Sequence, residues 1–144
     1  MKIKLESAET SEIEVIIRGD VGSEEVASLL QLLGKRNTGK LLLYKEEEMC
    51  IIDGAEIVFL EVQDSRVYAH TKLDTYETKL KLYEIKEQLP DRSFVQISKS
   101  VIVNINCVKS IQAEFSGNYR LKLKNRKEIL TISRKFFREF KDKI

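Results

Sequence analysis

Apolar and polar positions along this 144-residue chain follow two rhythms, and the change between them falls near residue 40. Ahead of it, Ile3 and Leu5 alternate with charges, and Glu12-Ile13-Glu14-Val15-Ile16-Ile17 reads as a second short strand. Val26, Leu29, Leu30 and Leu33 then recur at helical spacing; Ser23 or Gly22 can open that helix, and Gly34 stops it. Lys35-Arg36-Asn37-Thr38-Gly39-Lys40 is a polar linker. The division expected is a strand-helix extension over residues 1–40 and a domain over residues 41–144.

From Leu41 onward short strands dominate. Leu41–Tyr44 and Met49–Ile52 flank a turn at Lys45-Glu46-Glu47-Glu48; Glu56–Val62, Val67–Thr71 and Tyr76–Leu80 follow. Leu82, Ile85 and Leu89 keep helical spacing until Pro90 ends a short helix. Phe94–Ile97, Val101–Ile105, Val108–Ala113, Tyr119–Leu123 and Glu128–Ile132 are further strands, with turns at Ser116-Gly117-Asn118 and Lys124-Asn125-Arg126. A last helix begins at Ser133 and sets Phe136, Phe137 and Phe140 on one face. The fold class is mainly β with short helices, an α+β arrangement.

Composition narrows the setting. With 42% hydrophobic residues the domain can bury a core, and no apolar run reaches the ~18 residues of a membrane span. The start, Met1-Lys2-Ile3-Lys4-Leu5-Glu6, has no apolar stretch of the secretory kind. Cys50 and Cys107 both lie in apolar runs and read as buried free thiols, which fits a reducing, cytoplasmic location. The overall charge of +2 conceals a division: residues 94–144 carry twelve Lys/Arg against four Asp/Glu, whereas residues 1–93 carry thirteen against nineteen. A basic half of this kind fits a polyanionic partner.

Catalytic sets are missing from the pattern. Gly34-Lys35-Arg36-Asn37-Thr38-Gly39-Lys40 has phosphate-loop spacing, but Leu41 stands where a magnesium-binding hydroxyl is needed, and the order is helix then strand. His70 is the single histidine and alternates within a strand, so it reads as a half-buried structural residue. One histidine and two distant cysteines offer no zinc ligand pair. The expectation is no enzyme, no metal and no cofactor.

Two polar stretches carry more. In Phe94-Val95-Gln96-Ile97-Ser98-Lys99-Ser100-Val101-Ile102-Val103-Asn104 a strand delivers Gln96, Ser98 and Lys99 into a turn, where Gln and Lys can bond base edges and Ser can hold a phosphate. Thr131-Ile132-Ser133-Arg134-Lys135-Phe136-Phe137 puts two cations in the first turn of a helix, against its dipole. An anionic ligand there reverses that penalty.

In order, Ile57-Val58-Phe59-Leu60-Glu61, Val67-Tyr68-Ala69-His70-Thr71, Gln88-Leu89-Pro90, the Phe94–Asn104 block, Ile111, Gly117, Tyr119–Leu123 and Ile132-Ser133-Arg134 resemble a LytTR-type DNA-binding domain over about residues 41–144. The resemblance implies packed antiparallel β-sheets that read DNA from loops, which enter successive major grooves on one face and bend the duplex. By matched position, the first loop is Gln63-Asp64-Ser65-Arg66, with Ser65 or Arg66 nearest the bases. The second is Gln96-Ile97-Ser98-Lys99, with Lys99 for base readout and Ser100 for phosphate. The third contact is Arg134, suited to a two-pronged bond to guanine, with Lys135 beside it.

The chain also departs from that family. Gln96 and Ser98 stand where members often carry Arg and His, and Asp64 is unfavourable near phosphate. Forty residues are too few for a receiver domain, so the chain resembles the stand-alone group in which a strand-helix extension takes the receiver's place. The partners implied are double-stranded DNA with direct repeats, a second protomer at least on DNA and, by analogy, a small membrane protein. The rival expectation is a protein-interaction module, or anti-regulator, with a degenerate fold of this type; Gln96 and Ser98 favour it. RNA binding is a weaker third, because Tyr68, Tyr76, Tyr83 and Tyr119 form no stacking motif.

Overall fold

The computed structural model describes residues 1–9, 13–34, 39–90 and 92–144, divided between two compact units, Met1–Arg36 and Asn37–Ile144. In the first unit, residues 1–9 and 13–20 contain no strand, so the two strands expected there are not formed; Glu12 lies outside the described residues. Alternation gives a strand an apolar face but no neighbour to satisfy its amides, and Ile3, Leu5 and Ile13 are correspondingly 81%, 91% and 94% exposed. The helix does form, as α1 (Glu24–Gly34). Ser23 Oγ accepts the Val26 N–H at 3.3 Å, and Glu24 and Glu25 sit at the positive end of the helix dipole. Residues 35–38 of the expected linker and of the phosphate-loop-like motif lie outside the described residues, and Lys40, expected in the linker, opens the first strand of the second unit.

In the second unit, β1 (Lys40–Lys45), β2 (Glu48–Asp53), β3 (Ile57–Gln63), β4 (Arg66–Thr71), β5 (Thr75–Thr78), β6 (Phe94–Ser98) and β7 (Val101–Asn104) make an antiparallel sheet. Its order is β2-β1-β5-β4-β3-β7-β6. A smaller antiparallel sheet, β10-β9-β8, is built from β8 (Val108–Ala113), β9 (Tyr119–Leu123) and β10 (Ile129–Ile132). Two short helices complete the unit: α2 (Leu82–Gln88), stopped by Pro90, and α3 (Arg134–Lys143). The fold is therefore the mainly β, α+β arrangement that the hydrophobic pattern predicts.

The apolar run of β3 explains the layering. Ile57 and Leu60 pack with Leu82, Ile85 and Leu89 around α2, whereas Val58 and Phe59 pack with Leu121, Leu123, Leu130, Ile132 and Phe140 of the small sheet and α3. A register irregularity between Ile57 and Phe59 lets two successive residues face the same core. The large sheet is thus covered on both faces at β3. Asn104, 2% exposed, donates to the Ile57 carbonyl at 2.9 Å and accepts the Asn106 N–H at 3.0 Å, starting the 3₁₀ turn Ile105–Cys107 that carries the chain from one sheet to the other.

His70 is half-buried, stacks on Phe59 with ring centroids 4.3 Å apart, and is hydrogen-bonded to Glu61 and Thr75. Cys50 and Cys107 are unpaired but half-buried, where full burial was expected: each sits at the margin of its core cluster. Burial still raises the Cys107 thiol above its ordinary pKa, against the opposing pull of Lys72, Lys124 and Arg126. Among the described residues no helix is long and apolar enough to cross a membrane.

Candidate nucleic-acid interface

Strand register brings the three expected contact segments to one end of the large sheet. Gln63 pairs with Arg66 across the β3–β4 turn. Beside it, Glu61 of β3 pairs with Val101 of β7, and the Val62 N–H donates to the Ser100 carbonyl at 2.9 Å, so the β6–β7 turn is the neighbouring hairpin. Beyond that, the Ser133 N–H donates to the Ile97 carbonyl at 2.9 Å, which docks the start of α3 against the end of β6. Ser65 and Arg66, then Lys99 and Ser100, then Arg134 and Lys135 form a row, and all six are exposed.

The first segment is a two-residue turn with Asp64 at φ 49° and Ser65 at φ 66°. Both residues left-handed is the hairpin geometry that matches strand twist, and Asp tolerates it better than most. Asp64 thus has a backbone reason to stand in this turn. The Arg66 guanidinium lies 3.7 Å from the Glu77 carboxylate, an exposed pair worth ~0–1 kcal/mol and easily exchanged for another anion. A depression of about 450 Å³ beside this turn is lined by Ser65, Arg66, Lys79 and Lys81 together with Glu77 and several apolar side chains.

The second segment has an inward and an outward half. Gln96 is half-buried: its amide donates to the Ser98 carbonyl at 2.9 Å, and its oxygen accepts from Lys86 at 3.5 Å. Ser98, also half-buried, accepts the Ser100 N–H at 3.3 Å. These two shape the turn, while Lys99 and Ser100 at its tip face solvent; among the described residues Lys99 has no ion-pair partner. A bulge between Gln96 and Ser98 takes Ile97 out of the ladder, leaving its carbonyl for Ser133. The same irregularity therefore shapes the second segment and seats the third.

The third segment opens α3. Ser133 holds the cap position with extended backbone but makes no side-chain cap bond; Asn118 Oδ1 accepts the Arg134 N–H instead, at 3.1 Å. The Arg134 side chain lies against Gly117, at φ 89° in the β8–β9 turn. The sequence marks Gly117 and Asn118 only as turn residues, and nothing in the local pattern connects them to a helix sixteen positions later. Phe140, 0% exposed, anchors α3; Lys143 donates to the Phe94 carbonyl, and Glu139 pairs with Lys86 at 3.7 Å.

The arrangement defines an α+β domain whose basic, solvent-facing edge is a row of turns and one helix start. Its helices are separated by strands, so no helix-turn-helix occurs among the described residues. Residues 47–144 match the model of the LytTr DNA-binding domain, and the chain belongs to that family.

Relatives include an uncharacterized HTH-type transcriptional regulator of Staphylococcus aureus (strain bovine RF122 / ET3-1), 29% identical over 96% of this chain and 93% of that protein. The sensory transduction protein LytT of Bacillus anthracis is 32% identical over 71% of this chain, a match that spans only 41% of LytT. A solved structure, described as the LytTr DNA-binding domain of a methyl-accepting/DNA response regulator from Bacillus cereus, shares the fold. Its TM-score is 0.68 at 24% identity, over 73% of this chain and 95% of that one.

Proposed function

We propose that this protein is a cytoplasmic, non-enzymatic transcription regulator that binds double-stranded DNA through the turns at Ser65-Arg66 and Lys99-Ser100 and the helix start at Arg134-Lys135. The turns enter the major groove. Arg134 and Lys99 address base edges, Arg66 or Ser65 a base further along, and Ser100 and Lys135 phosphates. Gln96 and Ser98 act by shaping the second turn. Two protomers occupy a direct repeat, and residues 1–40 serve regulation or self-association, with a small membrane protein as controlling partner by analogy with the stand-alone group. The carrying observation is the hydrogen-bonded row of three exposed basic segments at one sheet end.

Binding is tested by the salt dependence of duplex affinity. About four to six neutralised phosphates per protomer give a log–log slope near −4 to −5. Arg134→Ala or Lys99→Ala costs about 1–3 kcal/mol on a preferred duplex and relaxes preference at one position. Unchanged affinity in both variants refutes the assignment.

A second reading, a protein-interaction module, is favoured by one feature. Leu42 pairs with Ile51, and Tyr44 with Met49, on the outer face of the β1–β2 hairpin, where Leu42, Met49 and Ile51 are 51%, 65% and 73% exposed. A gel shift with the chain's own promoter region separates the two; absence of any salt-sensitive complex supports the interaction module.

A further inference from the structure

Gly117, Asn118 and Tyr119 are consecutive, and each meets α3 in a different way. A Cβ at Gly117 would stand 3.1 Å from Arg134 Cδ, 3.3 Å from its Nη1 and 3.4 Å from its Nε. The arginine side chain therefore runs along the bare face of the glycine, so close that a Cβ there would require it to shift by a few tenths of an ångström. Asn118 Oδ1 accepts the Arg134 backbone N–H at 3.1 Å, and the Tyr119 ring stacks on Phe137 at 3.6 Å between centroids with planes 12° apart. The turn that offers these groups is itself tied: Gly117 N–H to the Glu114 carbonyl at 3.1 Å, Glu114 N–H to the Asn118 carbonyl at 3.0 Å, and Asn118 N–H to Ser116 Oγ at 3.3 Å.

We infer that the β8–β9 turn is the device that aims Arg134, with Gly117 and Asn118 as positioning residues that fix its guanidinium for base readout without touching DNA. The inference rests on the reading that Arg134 contacts DNA. A free arginine side chain surrenders rotamer entropy when it binds; one already laid along a fixed turn surrenders less, and its planar fork arrives in a defined orientation. Two-pronged recognition of a base tolerates little displacement, so rigid support outside the contact itself contributes to selectivity. Gly117 serves two ends at once: its φ of 89° closes the turn, and its missing side chain leaves the channel for the arginine.

The test is a double-mutant cycle read on selectivity. The full chain selects a preferred duplex from a random pool, and affinity is then measured for that duplex and for a scrambled duplex of the same composition. The ratio of the two is the readout, because a smaller folded fraction lowers both affinities alike and leaves the ratio unmoved. Arg134→Ala lowers the ratio about tenfold or more, and Gly117→Ala and Asn118→Ala each lower it about three- to tenfold. In an Arg134→Ala background neither has a further effect, since each acts through the arginine. Asn118→Asp, which keeps the acceptor oxygen, retains most of the ratio while weakening both duplexes through its charge.

Asn118→Ala keeps the test valid if Gly117→Ala does not fold. If Arg134→Ala lowers the ratio but the turn variants leave it intact, or lower it equally without the arginine, positioning is overturned and the DNA reading stands. An unchanged ratio in Arg134→Ala, or failure to select any duplex, overturns the reading beneath it.

Discussion

Phe140→Ala separates the anchoring of α3 from the DNA contact proposed for its first turn. Phe140 is fully buried, the one buried residue of α3, and belongs to the apolar cluster that Val58 and Phe59 of β3, Val95 and Ile97 of β6 and Val103 of β7 form with the small sheet. Truncation removes roughly 100–150 Å² of buried apolar surface, about 3 kcal/mol at ~25 cal/mol per Å², and the cavity raises the expected loss to ~3–5 kcal/mol. Holding α3 besides Phe140 are the Ser133–Ile97 and Lys143–Phe94 bonds, the Arg134 N–H to Asn118 Oδ1 bond, the half-buried Lys86–Glu139 pair and the Tyr119–Phe137 stack. Against a domain stability of ~5–15 kcal/mol, the sheets stay folded while the helix loosens.

Denaturant unfolding followed by circular dichroism gives the stability change, and amide hydrogen exchange across Arg134–Lys143 reports detachment of the helix. Exchange there accelerates far more than in β3, β4 and β7, and affinity for a preferred duplex falls although no DNA-facing group has changed. Phe136→Ala, at a half-buried position on the same helix, costs ~1 kcal/mol or less and serves as control. A loss below ~1 kcal/mol for Phe140→Ala, or full duplex affinity despite a detached helix, refutes the reasoning.

Asn104→Ala leaves the Ile57 carbonyl without its donor inside the core and removes the acceptor that starts the 3₁₀ turn; a loss of ~2–3 kcal/mol is expected by chemical denaturation. Glu77→Gln removes the carboxylate 3.7 Å from Arg66 and raises duplex affinity about two- to threefold at low salt, a gain that fades as ionic strength rises. The Arg126 guanidinium, hydrogen-bonded to Glu128, holds that carboxyl below its ordinary pKa. Its contribution is therefore present above the unfolded carboxylate value of about 4.3 and is lost as pH falls through the lower folded value. The stability gap between the natural chain and Glu128→Gln, measured by thermal melts, narrows below about pH 4; a gap that widens there contradicts the sign.

Much of this architecture is legible in the order of apolar runs. Ten strand segments, the helix ended by Pro90 and the final helix with Phe140 on its apolar face follow from period and punctuation, because each element beyond residue 40 has a partner to pack against. The strands expected around Ile3 and Ile13 fail for the converse reason: alternation was present, but no neighbouring strand. Within the contact segments, identity was readable and orientation was not. Gln96 and Ser98 look like loop-tip groups in sequence, yet both are half-buried and hydrogen-bonded within the turn, and the exposed tip is Lys99 and Ser100. Gly117 and Asn118 were legible as a turn only, since their contact with Arg134 depends on how the small sheet docks on the large one.

The central claim is that the three segments read DNA from the major groove. Methylation of guanine N7, a major-groove atom, tests it most directly by interference footprinting on a duplex selected from a random pool. Interference is predicted at guanines in each of two direct repeats, and Arg134→Ala abolishes it at one guanine per repeat while leaving the others. Binding that is indifferent to N7 methylation throughout the duplex, or a pattern that Arg134→Ala leaves unaltered, contradicts the account.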